Sequence, residues 1–179
     1  YPLFKDLPVE QTFILPVAFS NITAQKTTEN KVVQTGKQTL ITRFRSLLLW
    51  ARYQLGPNTL PKYGKTLQRI IQEIQPDLVH ALRVPFEGML AAYTPNNIPL
   101  VISIWGNDFT LHAEASQKMA AFTRRTLQRA NALIADTQRD IQLAVHWGLS
   151  AQKPSLIVPG GGGISLQDIS ESSNNTAIL

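Results

Sequence analysis

Short apolar runs alternate with segments of helical periodicity from Pro76 onward. The apolar runs are "PDLVHAL", "IPLVISIW", "NALIADT" and "PSLIVPG", and the segments between them are "PFEGMLAAYT", "SQKMAAFTRRTLQRA" and "QRDIQLAVHWG". Nearly continuous apolar strands, joined by connections too long for hairpins, are typical of a parallel sheet. The pattern predicts an α/β fold: a Rossmann-like, doubly wound, mainly parallel sheet with helices on both faces.

The first half of the chain is less regular. Leucine and phenylalanine recur at helical spacing over residues 39–55 and stop at Gly56-Pro57, and "PKYGKTLQRIIQEIQ" repeats this pattern before Pro76. Both segments are predicted helices. The run "QTFILPVAF" (11–19) predicts a short strand, and the polar stretch 20–38 predicts a mobile loop.

The length of 179 residues suits one domain. We assign 1–165 to a Rossmann-like domain and 166–179 to a linker or tail. The start at Tyr1 and the polar end "ESSNNTAIL" suggest a piece of a longer protein. In that case the expected partner of this domain is a second domain beyond the tail.

The amino-acid composition excludes or argues against several classes of function. The chain has no cysteine and three histidines, which excludes disulfide scaffolds and thiol chemistry and argues against a metal site. Without a long apolar run or a leader pattern, we expect a cytoplasmic protein. The net charge of +5 favours anionic partners. Because the basic residues are dispersed and do not interleave with aromatic ones, nucleic acid is not the expected partner.

The helix predicted at 39–55 carries Arg43, Arg45 and Arg52 beside its apolar stripe. Such a helix can lie on an anionic membrane surface, which would place the protein peripherally at the inner face of the membrane. The alternative is that the stripe is the core face of an ordinary surface helix.

Ligands of open α/β sheets bind beyond the carboxyl ends of the strands, so the loops after His80, Ile104, Ala135 and Val158 are the candidate sites. In "HALRVPFEG", Arg83 suits a phosphate or carboxylate, although surface arginines are common. Pro85 and Glu87 suit the first turn of the next helix.

The loop "IWGNDFT" ends the second strand. Gly106 permits close approach of a ligand, and Asn107 or Asp108 is a candidate helix cap. Trp105 offers an aromatic face to a sugar, or fills the core. Asp108 is a candidate base or hydroxyl acceptor, and His112, a few residues on, titrates near neutral pH.

Two further loops carry weaker signals. Thr137 or Asp136 is the candidate helix cap, and Asp140 follows Thr137 at capping-box spacing, which explains "ADTQRD" structurally. The run "VPGGGG" contains Gly160 and Gly161 but fits neither common phosphate-binding pattern, so it serves better as a hinge.

The ordered set "PDLVHALRVPFEGMLAAY", "IPLVISIWGNDFT", "SQKMAAFTRRTLQRANALIADT" and "HWGLSAQKPSLIVPGGGGIS" resembles the amino-terminal domain of retaining glycosyltransferases of the GT-B fold, the "group 1" or family 4 class. The resemblance covers roughly residues 76–165. In that family this domain holds the acceptor, and a second domain binds the nucleotide-sugar donor. The resemblance implies a sugar transferase without a metal or a covalently bound cofactor, and an isolated domain that is inactive.

The resemblance also implies site residues. Asp108 and His112 are the candidate catalytic residues, and Gly160 and Gly161 would contact donor phosphate or form the hinge. The candidate acceptor-binding residues are Arg83, Glu87, Trp105, Gly106, Asn107 and Thr137. Relatives often have a histidine where this chain has Trp105, so either His112 substitutes for it or Trp105 and Asp108 position the acceptor.

The implied partners are a nucleotide-sugar donor and a hydroxyl acceptor, with phosphorylated and lipid-linked acceptors both compatible. An alternative from another class is a non-catalytic α/β module that binds a sugar or an anion at the same edge of the sheet.

Overall fold

A four-stranded parallel sheet forms the centre of the part of the chain that the structure describes. The structure, a computed structural model, describes residues 13–19 and 45–159. The strands are β1 (Val79–Ala81), β2 (Leu100–Ile104), β3 (Ala132–Ala135) and β4 (Ser155–Ile157), hydrogen-bonded in the order β1-β2-β3-β4. Every pair is parallel, with Val79 opposite Leu100, Ile102 opposite Leu133 and Ile134 opposite Leu156. The four apolar runs of the sequence are therefore the four strands.

Helices connect the strands and precede the sheet. They are α1 (Arg45–Leu55), α2 (Leu60–Ile74), α3 (Met89–Ala91), α4 (Gln117–Arg129) and α5 (Gln138–His146), and a 3₁₀ turn, Gly56–Thr59, joins the first two. The two early helices are confirmed over these ranges, and residues 39–44 lie outside the described part. The α/β class with a parallel, Rossmann-like sheet is confirmed.

The main core lies between the sheet and α3, α4 and α5. Leu100, Ile102 and Ile104 of β2 are almost fully buried, while the residues between them are half-buried. Strands that follow one another in order, with right-handed connections, place their helices on the same face. The alternation in β2 agrees, since one face packs against helical residues such as Leu127 and Ala144. Within residues 13–19 and 45–159, the helices that pack against the sheet are α3, α4 and α5, all on that face, so the predicted helices on the other face are not seen in these ranges.

Side-chain caps fix where two helices begin. Ser116 accepts the Met119 N–H at the start of α4, and Thr137 accepts the Asp140 N–H at the start of α5. Thr137 also donates its hydroxyl to the Asp140 carboxylate at 2.8 Å. The capping interaction that the Thr137 spacing predicts is therefore confirmed.

The predicted strand within 11–19 is wrong for the part that the structure describes. Residues 13–16 have no regular structure, and Val17–Phe19 is a 3₁₀ turn with Ala18 at φ 53°. The Ala18 N–H donates to the Thr59 hydroxyl at 3.1 Å, so the segment packs against the α1–α2 connection and not beside a strand. Residues 11–12, the predicted loop 20–38 and the tail 166–179 lie outside the described ranges.

Of the helices in the described ranges, each is too short or too polar to cross a lipid bilayer.

Gly64 of α2 is required by close packing. A Cβ built on Gly64 would lie 2.5 Å from the ring of Tyr93, which is shorter than any van der Waals contact allows. Alanine is normally the better helix former by about 1 kcal/mol. We therefore expect Gly64→Ala to destabilise the protein by about 1–3 kcal/mol in urea unfolding, because the clash outweighs the gain in propensity.

The matched control is Gly64→Ala on a Tyr93→Ala background. Without the ring, the glycine substitution should be neutral or stabilising, and the double-mutant cycle isolates the contact. An equal loss of stability in both backgrounds would show that Tyr93 is not the cause.

Candidate active site

The loops after β1 and β2 meet at one buried carboxylate. Oδ2 of Asp108 accepts the Val84 N–H at 3.0 Å and the Trp105 N–H at 3.2 Å. The Asp108 N–H donates to the Trp105 carbonyl at 2.8 Å, which closes the turn, and residue Asp108 is 1% exposed. One side chain thus fixes two adjacent loops at the carboxyl edge of the sheet.

The expectation that Asp108 or Asn107 caps a following helix is wrong. A cap accepts N–H groups from residues that follow it, whereas the two N–H groups bound by Asp108 precede it in the chain. At the start of the helical turn Asp108–His112, Asn107 makes no side-chain cap bond. Asp108 therefore holds the loop after β1 against the loop after β2.

Arg83 lies at the centre of the cluster. Its guanidinium carbon is 5.2 Å from the centre of the Trp105 ring, a cation–π geometry. Its Nη2 lies 3.8 Å from Asp108 Oδ1 and 3.4 Å from His112 Nε2. The separation from Asp108 is an ion pair too long for a hydrogen bond. With 32% of its side chain exposed, Arg83 is partly accessible from solvent.

Buried polar atoms beside this ion pair have no partner within the described residues. They are Nε of Arg83 and Oδ1 of Asp108, together with Nε of Arg52. Buried polar atoms without a hydrogen bond are uncommon and often mark a functional site.

His112 connects α1 to the cluster. Its Nδ1 lies 2.7 Å from the Tyr53 hydroxyl, and its Nε2 faces Arg83. Because a guanidinium can only donate, Nε2 must be the acceptor, which places the ring proton on Nδ1. Burial lowers the pKa of His112, and the charges of Arg83 and Arg52 lower it further, while Asp108 acts in the opposite direction. The imidazole is therefore neutral at physiological pH.

The two carboxyl groups of the site are shifted toward protonation. Burial raises the pKa of Asp108, against the lowering effect of its two backbone hydrogen bonds and of Arg83. Burial of the carboxyl environment also raises the pKa of Glu87, and Arg83 opposes it. The Glu87 side chain as a whole is exposed, so this group remains accessible to a ligand.

The segment Val84–Gly88 is a kinked turn, and the predicted helix start at Pro85 and Glu87 is wrong. Pro85 is extended, at ψ 124°, and Phe86 has φ 62° and ψ −49°, a strained conformation for a residue with a side chain. The Gly88 N–H donates to the Arg83 carbonyl at 2.8 Å, and a Cβ at Gly88 would lie 2.7 Å from that oxygen. Regular helix begins at Met89.

The exposed residues of the second loop surround this cluster. Trp105 is 54% exposed, and Gly106 and Asn107 are also exposed. A Cβ at Gly106 would meet only Asp140, at 3.9 Å, and among the described glycines the one with positive φ is Gly148. The described fold therefore does not require glycine at 106, and the small residue leaves room beside Trp105.

The structure brings Arg83, Glu87, Trp105, Asp108 and His112 together. Thr137 caps α5 and its partner Asp140 lies near Gly106, so Thr137 borders this region. Gly160 and Gly161 lie outside the described residues. Within the described ranges there is no group of three or more His, Asp or Glu side chains suited to a metal ion.

Sequence reasoning did not place Arg52 or Tyr53 at the candidate site. Arg52 lies over the ring of Phe86 at 5.0 Å, and Tyr53 binds His112. Both belong to the predicted helix 39–55, but periodicity alone does not show which polar residue of a helix turns toward a distant loop.

Residues 52–137 match the family model described as "Glycosyl transferase 4-like". The match supports a glycosyl transferase 4-like domain. It covers just under half of the chain and includes the whole cluster from Arg52 to His112. Searches of curated proteins and of solved structures each found no match.

We expect the pKa of His112 to lie below 6.5 and to rise in the variant Arg83→Gln, because the guanidinium charge opposes protonation. An NMR titration of the His112 ring measures both values. Because His112 has a higher pKa in the unfolded chain than in the folded protein, the unfolded chain binds this proton more readily. The stability of the fold therefore falls as the pH drops below about 6.5.

Arg139→Gln is the matched control, since it removes an exposed arginine from the start of α5. It should leave the His112 titration unchanged. If Arg83→Gln does the same, the proximity of Arg83 and His112 is not what lowers the pKa.

Proposed function

We propose that this chain is the acceptor-side, amino-terminal domain of a retaining GT-B glycosyltransferase. It would hold a hydroxyl acceptor for transfer of a sugar from a nucleotide-sugar donor, which a second domain would bind. The observation that carries the proposal is the Arg83–Trp105 surface held at the carboxyl edge of the sheet by Asp108, inside the region that matches a glycosyl transferase 4-like family.

The exposed groups suit a sugar acceptor. The indole of Trp105 is available for packing against the C–H groups of a sugar ring, and Arg83 presents N–H donors next to it. A guanidinium binds phosphate or carboxylate through two parallel hydrogen bonds. An acceptor with both a sugar ring and an anionic group would use both surfaces at once.

Among the residues that the structure describes, the site offers a neutral imidazole and no activated nucleophile. Nδ1–H of His112 is bound to Tyr53, and Nε2 accepts from Arg83, so the imidazole acts as a neutral group next to the acceptor. In the family that the sequence resembles, retention is ascribed to front-face attack assisted by the donor phosphate, a route that needs no protein nucleophile. The polar groups of this domain would then serve to position the hydroxyl.

Binding is tested with glucose 6-phosphate as a phosphorylated sugar probe. We expect isothermal titration calorimetry to show binding by the 179-residue chain, with weaker binding of glucose and of inorganic phosphate. Arg83→Gln should weaken binding of the phosphorylated probe at least tenfold, since a charge-assisted pair contributes about 1.5–3 kcal/mol. Arg83→Lys should recover only part of the affinity, because an ammonium cannot form the two-pronged contact.

Arg139→Gln again serves as the matched charge control and should bind normally. Equal losses in Arg83→Gln and Arg139→Gln would mean that the probe senses net charge and that Arg83 is not a specific contact.

Transfer is tested in the presence of the donor-binding domain, with a panel of nucleotide sugars and phosphorylated acceptors. We expect Asp108→Asn to raise the acceptor KM more than the donor KM. The amide oxygen can still accept the Val84 and Trp105 N–H groups. Its NH₂ group then faces the Arg83 guanidinium, and because both groups are hydrogen-bond donors they repel each other. Displacing Arg83 and Trp105 by even about 1 Å should cost up to about a hundredfold in transfer.

Asp136→Asn, at an exposed carboxylate after β3, is the control and should leave both KM values unchanged. A fall in thermal stability of Asp108→Asn with unaltered KM values would limit Asp108 to a structural role. Probe binding without transfer for any donor would favour the non-catalytic sugar- or anion-binding module.

A further inference from the structure

The amino-terminal end of α1 exposes an unusual amount of apolar surface. Four consecutive residues are exposed: Leu47 by 57%, Leu48 by 48%, Leu49 by 40% and Trp50 by 59%. Because a helical turn has 3.6 residues, these four side chains point in all directions around the helix axis. Exposed apolar clusters of this kind mark contact with a membrane or a protein.

The sequence around this helix end is strongly basic. From Lys31 to Gln72 there is no aspartate or glutamate, and there are eight lysines or arginines. The rest of the chain has nine basic and twelve acidic residues and is therefore net negative. The basic residues are spread along the chain, but only in the segment that contains α1 and α2 are they not balanced by acidic residues, so the net positive charge comes from this segment.

The next helix presents part of this charge to solvent. Lys62, Lys65 and Arg69 of α2 are exposed, at spacings of three and four residues that place them on one side of the helix. Basic side chains that are close in sequence to an apolar, tryptophan-containing segment are typical of a region that binds the interface of an anionic bilayer.

We propose that the Leu47–Trp50 end of α1 inserts into the surface of an anionic membrane, with the basic residues of this region contacting lipid phosphates. A protein partner would cover one side of a helix. Here apolar side chains surround the helix end, and an acyl-chain environment satisfies all of them. The absence of acidic residues from Lys31 to Gln72 matches an anionic lipid surface by charge.

The surface adjoins the candidate active site. Tyr53, which binds His112, is three residues beyond Trp50 and therefore about 4.5 Å farther along the axis. Leu111, next to His112, is 58% exposed. If the proposed function holds, the acceptor is carried by a lipid and reaches Arg83 from the membrane. Membrane binding itself does not depend on that function.

The test is vesicle flotation with the 179-residue chain. One set of vesicles is phosphatidylcholine alone, and in the other about one third is replaced by phosphatidylglycerol. We expect the protein to float with the anionic vesicles only, and to be released as salt screens the charges. Flotation of equal amounts with neutral vesicles, or with neither, would overturn the proposal.

The decisive variant is Leu48→Ser with Trp50→Ala, which removes apolar area from the helix end without changing charge. It should lower the bound fraction at least about tenfold, the equivalent of one buried aromatic side chain. The matched control is Ile74→Ser, which changes an exposed apolar side chain (49%) at the carboxyl-terminal end of α2. This variant should bind like the unmodified chain. Lys62→Gln should weaken binding about fivefold, the equivalent of one lysine near the surface.

Circular dichroism of each variant checks that the fold is kept. If Leu48→Ser with Trp50→Ala floats like the unmodified chain, the helix end is not the membrane contact. If light scattering shows that the unmodified chain dimerises without lipid and that this variant does not, the surface binds a second copy. Binding of glucose 6-phosphate, measured separately, reports on the proposed function, so failure of one proposal leaves the other standing.

Discussion

The geometry of the candidate site depends on the carboxylate of Asp108. Two backbone N–H groups from different loops, those of Val84 and Trp105, share one of its oxygens. Buried N–H groups without an acceptor cost about 1–3 kcal/mol each, so any structure that released Asp108 would have to find other partners for both. The other oxygen faces Arg83. Asp108 therefore holds the loop after β1 against the loop after β2 and aims the guanidinium at Trp105.

The strained turn at Phe86 is tolerated because its neighbours leave it no alternative. Phe86 is buried and its ring packs under the Arg52 guanidinium, while Gly88 closes the turn on the Arg83 carbonyl with no room for a side chain. A residue at positive φ with a side chain costs about 1–3 kcal/mol and persists only where packing fixes it. The strain lies one residue from Glu87 and three from Arg83, so it shapes the backbone from which both side chains reach the site.

The sequence predicted the fold better than it predicted the site. Each apolar run from "LVHA" to "SLIV" became a strand because a buried parallel strand needs an unbroken apolar segment, and periodicity reports this directly. The kinked turn at Val84–Gly88 could not be predicted, because "VPFEG" has local signals for a helix start. Contacts with the distant Arg52 and Thr126 side chains, together with the hydrogen bond from Gly88 to the Arg83 carbonyl, hold another backbone conformation. The pairing of Tyr53 with His112 joins residues 59 apart in sequence, which no local pattern specifies.

The two ends of α1 have different surroundings. Its carboxyl-terminal half turns Arg52 and Tyr53 inward, where each contacts a residue of the candidate site. Its amino-terminal half leaves Leu47 and Trp50 in solvent, although burying an apolar side chain of this size is worth about 1.5–3 kcal/mol. A helix that held only the core would gain by burying those side chains as well. Their exposure, in a stretch of sequence without acidic residues, is accounted for if the apolar end of α1 meets lipid while the other end sets the charge and hydrogen bonding around His112.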